Sequence, residues 1–121
     1  MSVRPQILIV DDELPLAELL AEILSDFESE IVTDSKEALK LLLDPSLDYK
    51  AVFCDLNLPA ISGADLYRQV REKRPGNERR FIFVTAGACS PESKKFLEGI
   101  PNPTLTKPFD VKTVLKLASL I

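Results

Sequence analysis

The chain has 121 residues, which suffices for one domain with one core, and its 45% apolar and 28% charged residues are those of an ordinary globular protein. A net charge of −4 with no basic run argues against a nucleic-acid surface, and no apolar stretch approaches the ~20 residues of a membrane span. The first six residues lack a signal-peptide pattern, so a cytoplasmic location is the expectation, and the absence of histidine removes His-based triads and most zinc sites.

Ile7-Leu8-Ile9-Val10 is a continuous apolar run, read as a first strand that ends in Asp11-Asp12-Glu13. Leu16, Leu20, Ile23, Leu24 and Phe27 then recur at helical spacing, with Pro15 tolerable in the first turn. Glu30 to Thr33 predicts a short second strand, and Ser35 is placed to cap a helix carrying Ala38 and Leu42, ended by Asp44-Pro45. Ala51-Val52-Phe53-Cys54 predicts a third strand ending in Asp55, with Cys54 a buried small hydrophobe. Ser62 and Asp65 have capping-box spacing and open a helix with Leu66 and Val70 inward. After the turn cluster at 74–78, Phe81 to Val84 predicts a fourth strand ending in Thr85. Cys89 reads as an ordinary loop residue, since no base flanks it to lower its pKa. Ser90-Pro91 sets a cap before a proline at the first helical position. Thr104-Leu105-Thr106 predicts a fifth strand ending in Lys107, and Asp110 caps a last helix with Val111, Val114, Leu115 and Ala118 on one face.

Five strands alternating with five helices predict an α/β fold with a doubly wound parallel sheet. The first, third and fourth strands are apolar throughout, as strands covered on both faces must be. The second and fifth are shorter and more polar, and Pro103 suits an edge, so the expected order is 2-1-3-4-5. The whole of 1–121 reads as a single domain.

In such sheets ligands bind beyond the carboxyl ends of the strands, where the winding reverses. Asp11 and Asp12, Asp55, Thr85 and Lys107 follow four of the five strands. Three carboxylates in one pocket repel unless a cation sits among them, and a hard ion with oxygen ligands, Mg²⁺, is the natural occupant. A carboxylate nucleophile, a metal, an ammonium and a hydroxyl suit a phosphoryl group, whose transfer depends on positioning and charge stabilisation. Each piece alone has a plainer reading: an Asp pair is commonly a cap, Asp55 a turn residue, Thr85 a polar strand end and Lys107 a surface lysine. Their conjunction around one pocket carries the argument.

Four motifs together resemble the receiver domains of two-component response regulators, over essentially the whole chain. They are Ile7-Leu8-Ile9-Val10-Asp11-Asp12-Glu13; Asp55-Leu56-Asn57-Leu58-Pro59 with Ser62-Gly63; Val84-Thr85-Ala86; and Leu105-Thr106-Lys107-Pro108-Phe109. The resemblance implies a (βα)5 flavodoxin-like fold and a phosphorelay function in which Asp55 accepts a phosphoryl group from a histidine kinase or a histidine phosphotransfer domain. It implies Mg²⁺ on Asp12, Asp55 and the backbone carbonyl of Asn57, with Asp11 acting through water. Thr85 and Lys107 would bind phosphoryl oxygens, and the Lys107-Pro108 bond would be cis. Such a domain catalyses only its own phosphorylation and dephosphorylation. Receivers usually carry an aromatic residue or histidine three before the lysine; here Thr104 stands there. The stretch from Thr85 to Glu92 looks most like receivers of hybrid sensor kinases, so a hybrid kinase or a stand-alone receiver is expected. Two other readings compete. A haloacid-dehalogenase-type phosphatase needs an acid two residues after its nucleophile, where this chain has Asn57. A pseudo-receiver that only docks would not need all the motif positions filled.

Overall fold

A computed structural model of the chain describes residues 6–87 and 90–121. The readings of Cys89 and of the first five residues lie outside them. Five strands, β1 (Ile7–Val10), β2 (Ser29–Val32), β3 (Ala51–Asp55), β4 (Phe81–Ala86) and β5 (Thr104–Lys107), alternate with five helices. These are α1 (Leu14–Ile23), α2 (Ser35–Leu43), α3 (Gly63–Lys73), α4 (Pro91–Glu98) and α5 (Val111–Ala118). The sheet is parallel throughout, in the order β2-β1-β3-β4-β5, as the apolar and polar strands required.

Period-two alternation divides the core between the two faces of the sheet. Leu8, Val10, Val52, Cys54, Phe81 and Phe83 point to one face and are covered by α2 and α3, through Ala38, Leu42, Leu66, Tyr67 and Val70, with the half-buried Phe96 and Leu97 of α4 packed against them. Ile7, Ile9, Phe53, Ile82, Val84 and Leu105 point to the other, under α1 and α5, through Ala17, Leu20, Leu24 and Val114. Among the described residues no helix is long and apolar enough to cross a membrane.

Several local expectations are corrected. The cap of α2 is Asp34, whose carboxylate accepts from the Lys36 N–H. Ser35 is buried instead, its hydroxyl donating to the Pro59 carbonyl and accepting from the Ile61 N–H, so it ties α2 to the loop after β3. α1 stops at Ile23, and Phe27 packs on the core from the turn beyond it. Ser62 accepts from the Asp65 N–H, but the Asp65 carboxylate pairs with Arg68, so the capping box is half formed. The expected turn at 74–78 runs into a 3-10 helix over Asn77–Arg80, and Arg74 donates to the carbonyls of Leu42, Asp44 and Leu47. On α5, Val114 is buried and Ala118 half-buried, while Val111 and Leu115 face outward.

Candidate functional site

The strand register brings the predicted site residues to one edge of the sheet. Val10 lies opposite Cys54, so the next residues, Asp11 and Asp55, leave neighbouring strands side by side. Val84 lies opposite Asp55, which sets Thr85 one step on, and Ala86 lies opposite Lys107. The chain needs no side-chain contact to make this gathering; parallel pairing of strands that stop together is sufficient.

Lys107 is the hub. Its Nζ lies 3.0 Å from Asp55 Oδ2, 3.1 Å from Asp11 Oδ2 and 3.4 Å from Glu13 Oε1. The lysine and both aspartates are largely buried, whereas Glu13 is open to solvent. Asp55 Oδ1 accepts the Asn57 N–H at 2.8 Å, and Asp11 Oδ1 accepts the Glu13 N–H at 2.9 Å. Each buried carboxylate is thus held at both oxygens. The peptide bond between Lys107 and Pro108 is cis, as expected.

Burial pushes the Asp55 carboxyl above its ordinary range, against the pull of the Asn57 N–H and Lys107, and with a further push from Asp11. Burial pulls the Lys107 ammonium down, but hydrogen bonds to Asp55 and Asp11 outweigh it, and the net displacement is upward. Both directions hold together because one ammonium serves two carboxylates, so neither receives a full counter-charge. Beneath them Cys54 is fully buried; burial, then Asp55 and Asp11, raise its thiol, so it stays protonated and inert.

One carboxylate oxygen from each of Asp11, Asp12, Glu13 and Asp55 can be chosen so that all four lie within 4.8 Å of one another. The donors are oxygens only, which suits a hard divalent cation and not a soft one. Mg²⁺ therefore fits the residues present. Asp12 stands apart from the lysine network: it is exposed and lines an open cleft of about 560 Å³ shared with Asn57, Ser62, Arg68 and Phe96. Glu13 is the member that sequence reasoning left without a role. Its place as the third acid in the run Asp11-Asp12-Glu13 was the available signal. Thr85 is buried at the same edge, its hydroxyl donating to the Ala86 carbonyl at 2.9 Å.

Gly63 lets α3 approach this edge. A Cβ at this position would lie 2.5 Å from the Asp55 carbonyl oxygen and 2.9 Å from the Leu56 Cα, both backbone atoms that cannot swing aside. Gly63→Ala is therefore expected to lower stability by about 1–3 kcal/mol, the scale of core overpacking, and to displace Asp55. Thermal melts check it; an unchanged melt would show that the helix start yields freely.

Residues 7–119 match the family model described as response regulator receiver domain. The transcriptional regulatory protein DltR of Streptococcus agalactiae serotype III (strain NEM316) is 30% identical over 112 residues, covering 91% of this chain and 48% of its own length. The chain thus spans about half of that curated relative. An uncharacterized 14.6 kDa protein from the sodA1 3′ region of Leptolyngbya boryana is 36% identical over 114 residues, 92% of this chain and 85% of its own. Among solved structures, the receiver domain of sensor histidine kinase PA1611 from Pseudomonas aeruginosa PAO1 matches with a TM-score of 0.81, covering 98% of this chain and 97% of that one. At 22% identity this is a likeness of fold; that crystal structure has a magnesium ion coordinated in its active site cleft.

Proposed function

Because this chain belongs to the response regulator receiver domain family, as the match over residues 7–119 establishes, we propose that it works as one phospho-acceptor module over 1–121, taking a phosphoryl group onto Asp55 from the phosphohistidine of a histidine kinase or phosphotransfer domain. An oxygen of the Asp55 carboxylate attacks phosphorus as the bond to the imidazole nitrogen breaks, and the freed histidine keeps the electron pair. Asp12, Asp55 and the Asn57 carbonyl would hold Mg²⁺, with Asp11 reaching it through water; the ion, when bound, neutralises charge on the phosphoryl oxygens. Lys107 supplies a fixed ammonium for the same oxygens, and the Thr85 hydroxyl, on leaving the Ala86 carbonyl, donates to them. The observation that carries this reading is the Lys107 ammonium set between Asp55 and Asp11, with the Asp12 and Glu13 carboxylates beside them. The domain signals and has no turnover of its own beyond gaining and losing this group, and it resides in the cytoplasm.

The test is incubation with acetyl phosphate and Mg²⁺ followed by intact mass measurement. One phosphoryl adduct, lost when chelator is present from the start, is expected. No adduct, with no beryllofluoride binding, would make the chain a docking module; steady turnover of p-nitrophenyl phosphate would make it a phosphatase.

Readout of the phosphorylated state has its own prediction. Thr104 is exposed on an edge strand and has too little area to mark a packing change as a ring would. α4 contains no buried residue and is held mainly by the half-buried Phe96, Leu97 and Ile100. The Phe96 ring rests on Tyr67 and Phe83, at centroid distances of 5.5 and 5.4 Å, with the Arg68 guanidinium 5.1 Å from its own centroid. A helix so lightly held is the element that a shift of Thr85 can move at least cost. Beryllofluoride is therefore expected to change amide exchange mainly from Thr85 to Pro91 and along α4, with little change in β5. Strong protection at Leu105 and along Val111 to Leu117, together with a phosphorylation-driven dimer, would overturn this.

A further inference from the structure

α1 and α5 lie side by side on one face of the sheet, and their outer surface has an ordered pattern that the phosphoryl site does not use. Ile23 and Phe27 line a groove of about 240 Å³ with Leu115 and Ala118 of α5, and the exposed Asp26 and Ser119 complete its rim. Leu19 sits one turn before Ile23 on the same side of α1, and Val111 one turn before Leu115 on the same side of α5. The seam between the helices is therefore mainly apolar and open, with Leu19, Val111 and Leu115 exposed by 45, 55 and 49% and the Asp26 carboxylate at one end. On the flank of α1 stand Glu18 and Glu22, one turn apart; on the flank of α5 stand Lys112 and Lys116, also one turn apart. All four are exposed, and among the described residues none takes part in an ion pair. Glu18 and Glu22 are the only charged residues of α1, and Lys112 and Lys116 the only charged residues of α5.

An acidic rib, an apolar seam and a basic rib, in that order, make a surface complementary to itself. A two-fold axis through the seam lays the seams of two copies together and sets each acidic rib against the partner's basic rib. A partner surface of a single sign would leave one rib facing like charge. We propose that this face is the interface of a homodimer, α1 and α5 of one copy against α5 and α1 of another. The dimer needs no phosphoryl group, because every residue in it lies outside the Lys107 network.

Sedimentation equilibrium of the 121-residue chain from about 1 µM to about 1 mM, at low and high salt, gives the first reading. Concentration-dependent dimers that weaken as salt screens the ribs are expected. Charge reversal gives the decisive one. Glu18→Lys with Glu22→Lys makes both ribs basic; Lys112→Glu with Lys116→Glu makes both acidic. Each variant alone should associate at least about 10-fold more weakly than the parent, because like charges then face each other. An equimolar mixture of the two should restore the dimer. The substituted side chains are solvent-exposed, and circular dichroism and melts confirm that each variant folds. A chain that stays monomeric throughout, or reversed variants that associate as the parent does, would overturn the proposal. So would a monomeric parent whose reversed variants differ only in phosphotransfer from a histidine-containing donor, since the face would then belong to that donor.

Discussion

Asp55→Asn is expected to take no phosphoryl label from acetyl phosphate and Mg²⁺ under conditions that label the parent chain, while keeping its fold. The amide oxygen can still accept the Asn57 N–H that Asp55 Oδ1 accepts at 2.8 Å. The amide nitrogen would face the Lys107 ammonium, 3.0 Å from Asp55 Oδ2 in the parent, but that ammonium retains Asp11 at 3.1 Å. Stability should therefore change little, while the labelling rate falls by at least about 10³-fold, the scale seen when a reacting group is removed from a site. The other acids are poor substitutes. Asp11 has one oxygen on the Glu13 N–H and the other on Lys107, and Asp12 and Glu13 are exposed at the rim, outside the strand end. Intact mass and peptide mapping decide it: label surviving in Asp55→Asn, or mapped to Asp11, Asp12 or Glu13, would sink the assignment of Asp55 as sole acceptor.

The sheet was readable from residues 7–10, 51–54 and 81–84, because a strand buried on both faces has to be apolar at every position and few other segments are. The site was readable for a related reason: parallel strands that end together deliver whatever follows them to one edge, so Asp11, Asp55, Thr85 and Lys107 converge as topology alone dictates. What escaped was decided by tertiary contact. Ser35 has a good cap residue's chemistry, but the Pro59 carbonyl and Ile61 N–H compete for its hydroxyl and win, leaving the cap to Asp34. Val111 and Leu115 have helical spacing with Val114, yet the stripe that α5 turns inward runs through Val114, Leu117 and Ala118. Periodicity identifies an apolar arc but not which part of a wide arc meets the sheet. Glu13 was passed over because its part depends on the reach of Lys107, 94 residues away in sequence.

Lys107→Ala and Asp12→Asn should move Mg²⁺ affinity in opposite directions. The lysine side chain is only 13% exposed, and its two aspartate partners 7 and 8%. Truncating it leaves two buried carboxylates with no counter-charge, a loss expected to lower the stability of the metal-free protein by about 3 kcal/mol, the low end for a broken buried pair. The same truncation removes a positive charge from the cation's neighbourhood. At a few ångströms in a partly screened site, a unit charge is felt at the level of ~1–2 kcal/mol after solvation, so Mg²⁺ should bind roughly 10-fold tighter. Added Mg²⁺ should then recover much of the lost stability, because it binds the folded carboxylates and not the unfolded chain. Asp12→Asn does the reverse. Its carboxylate is exposed and outside the lysine network, so melting should hardly change, while the proposed site would lose a charged oxygen donor and affinity should fall by at least about 10-fold. Isothermal titration of Mg²⁺ into both variants, with melts at zero and saturating Mg²⁺, reads all four effects. Weaker Mg²⁺ binding in Lys107→Ala would mean that the ammonium orders the carboxylates for the ion instead of opposing it, and the electrostatic roles assigned to this edge of the sheet would have to be exchanged.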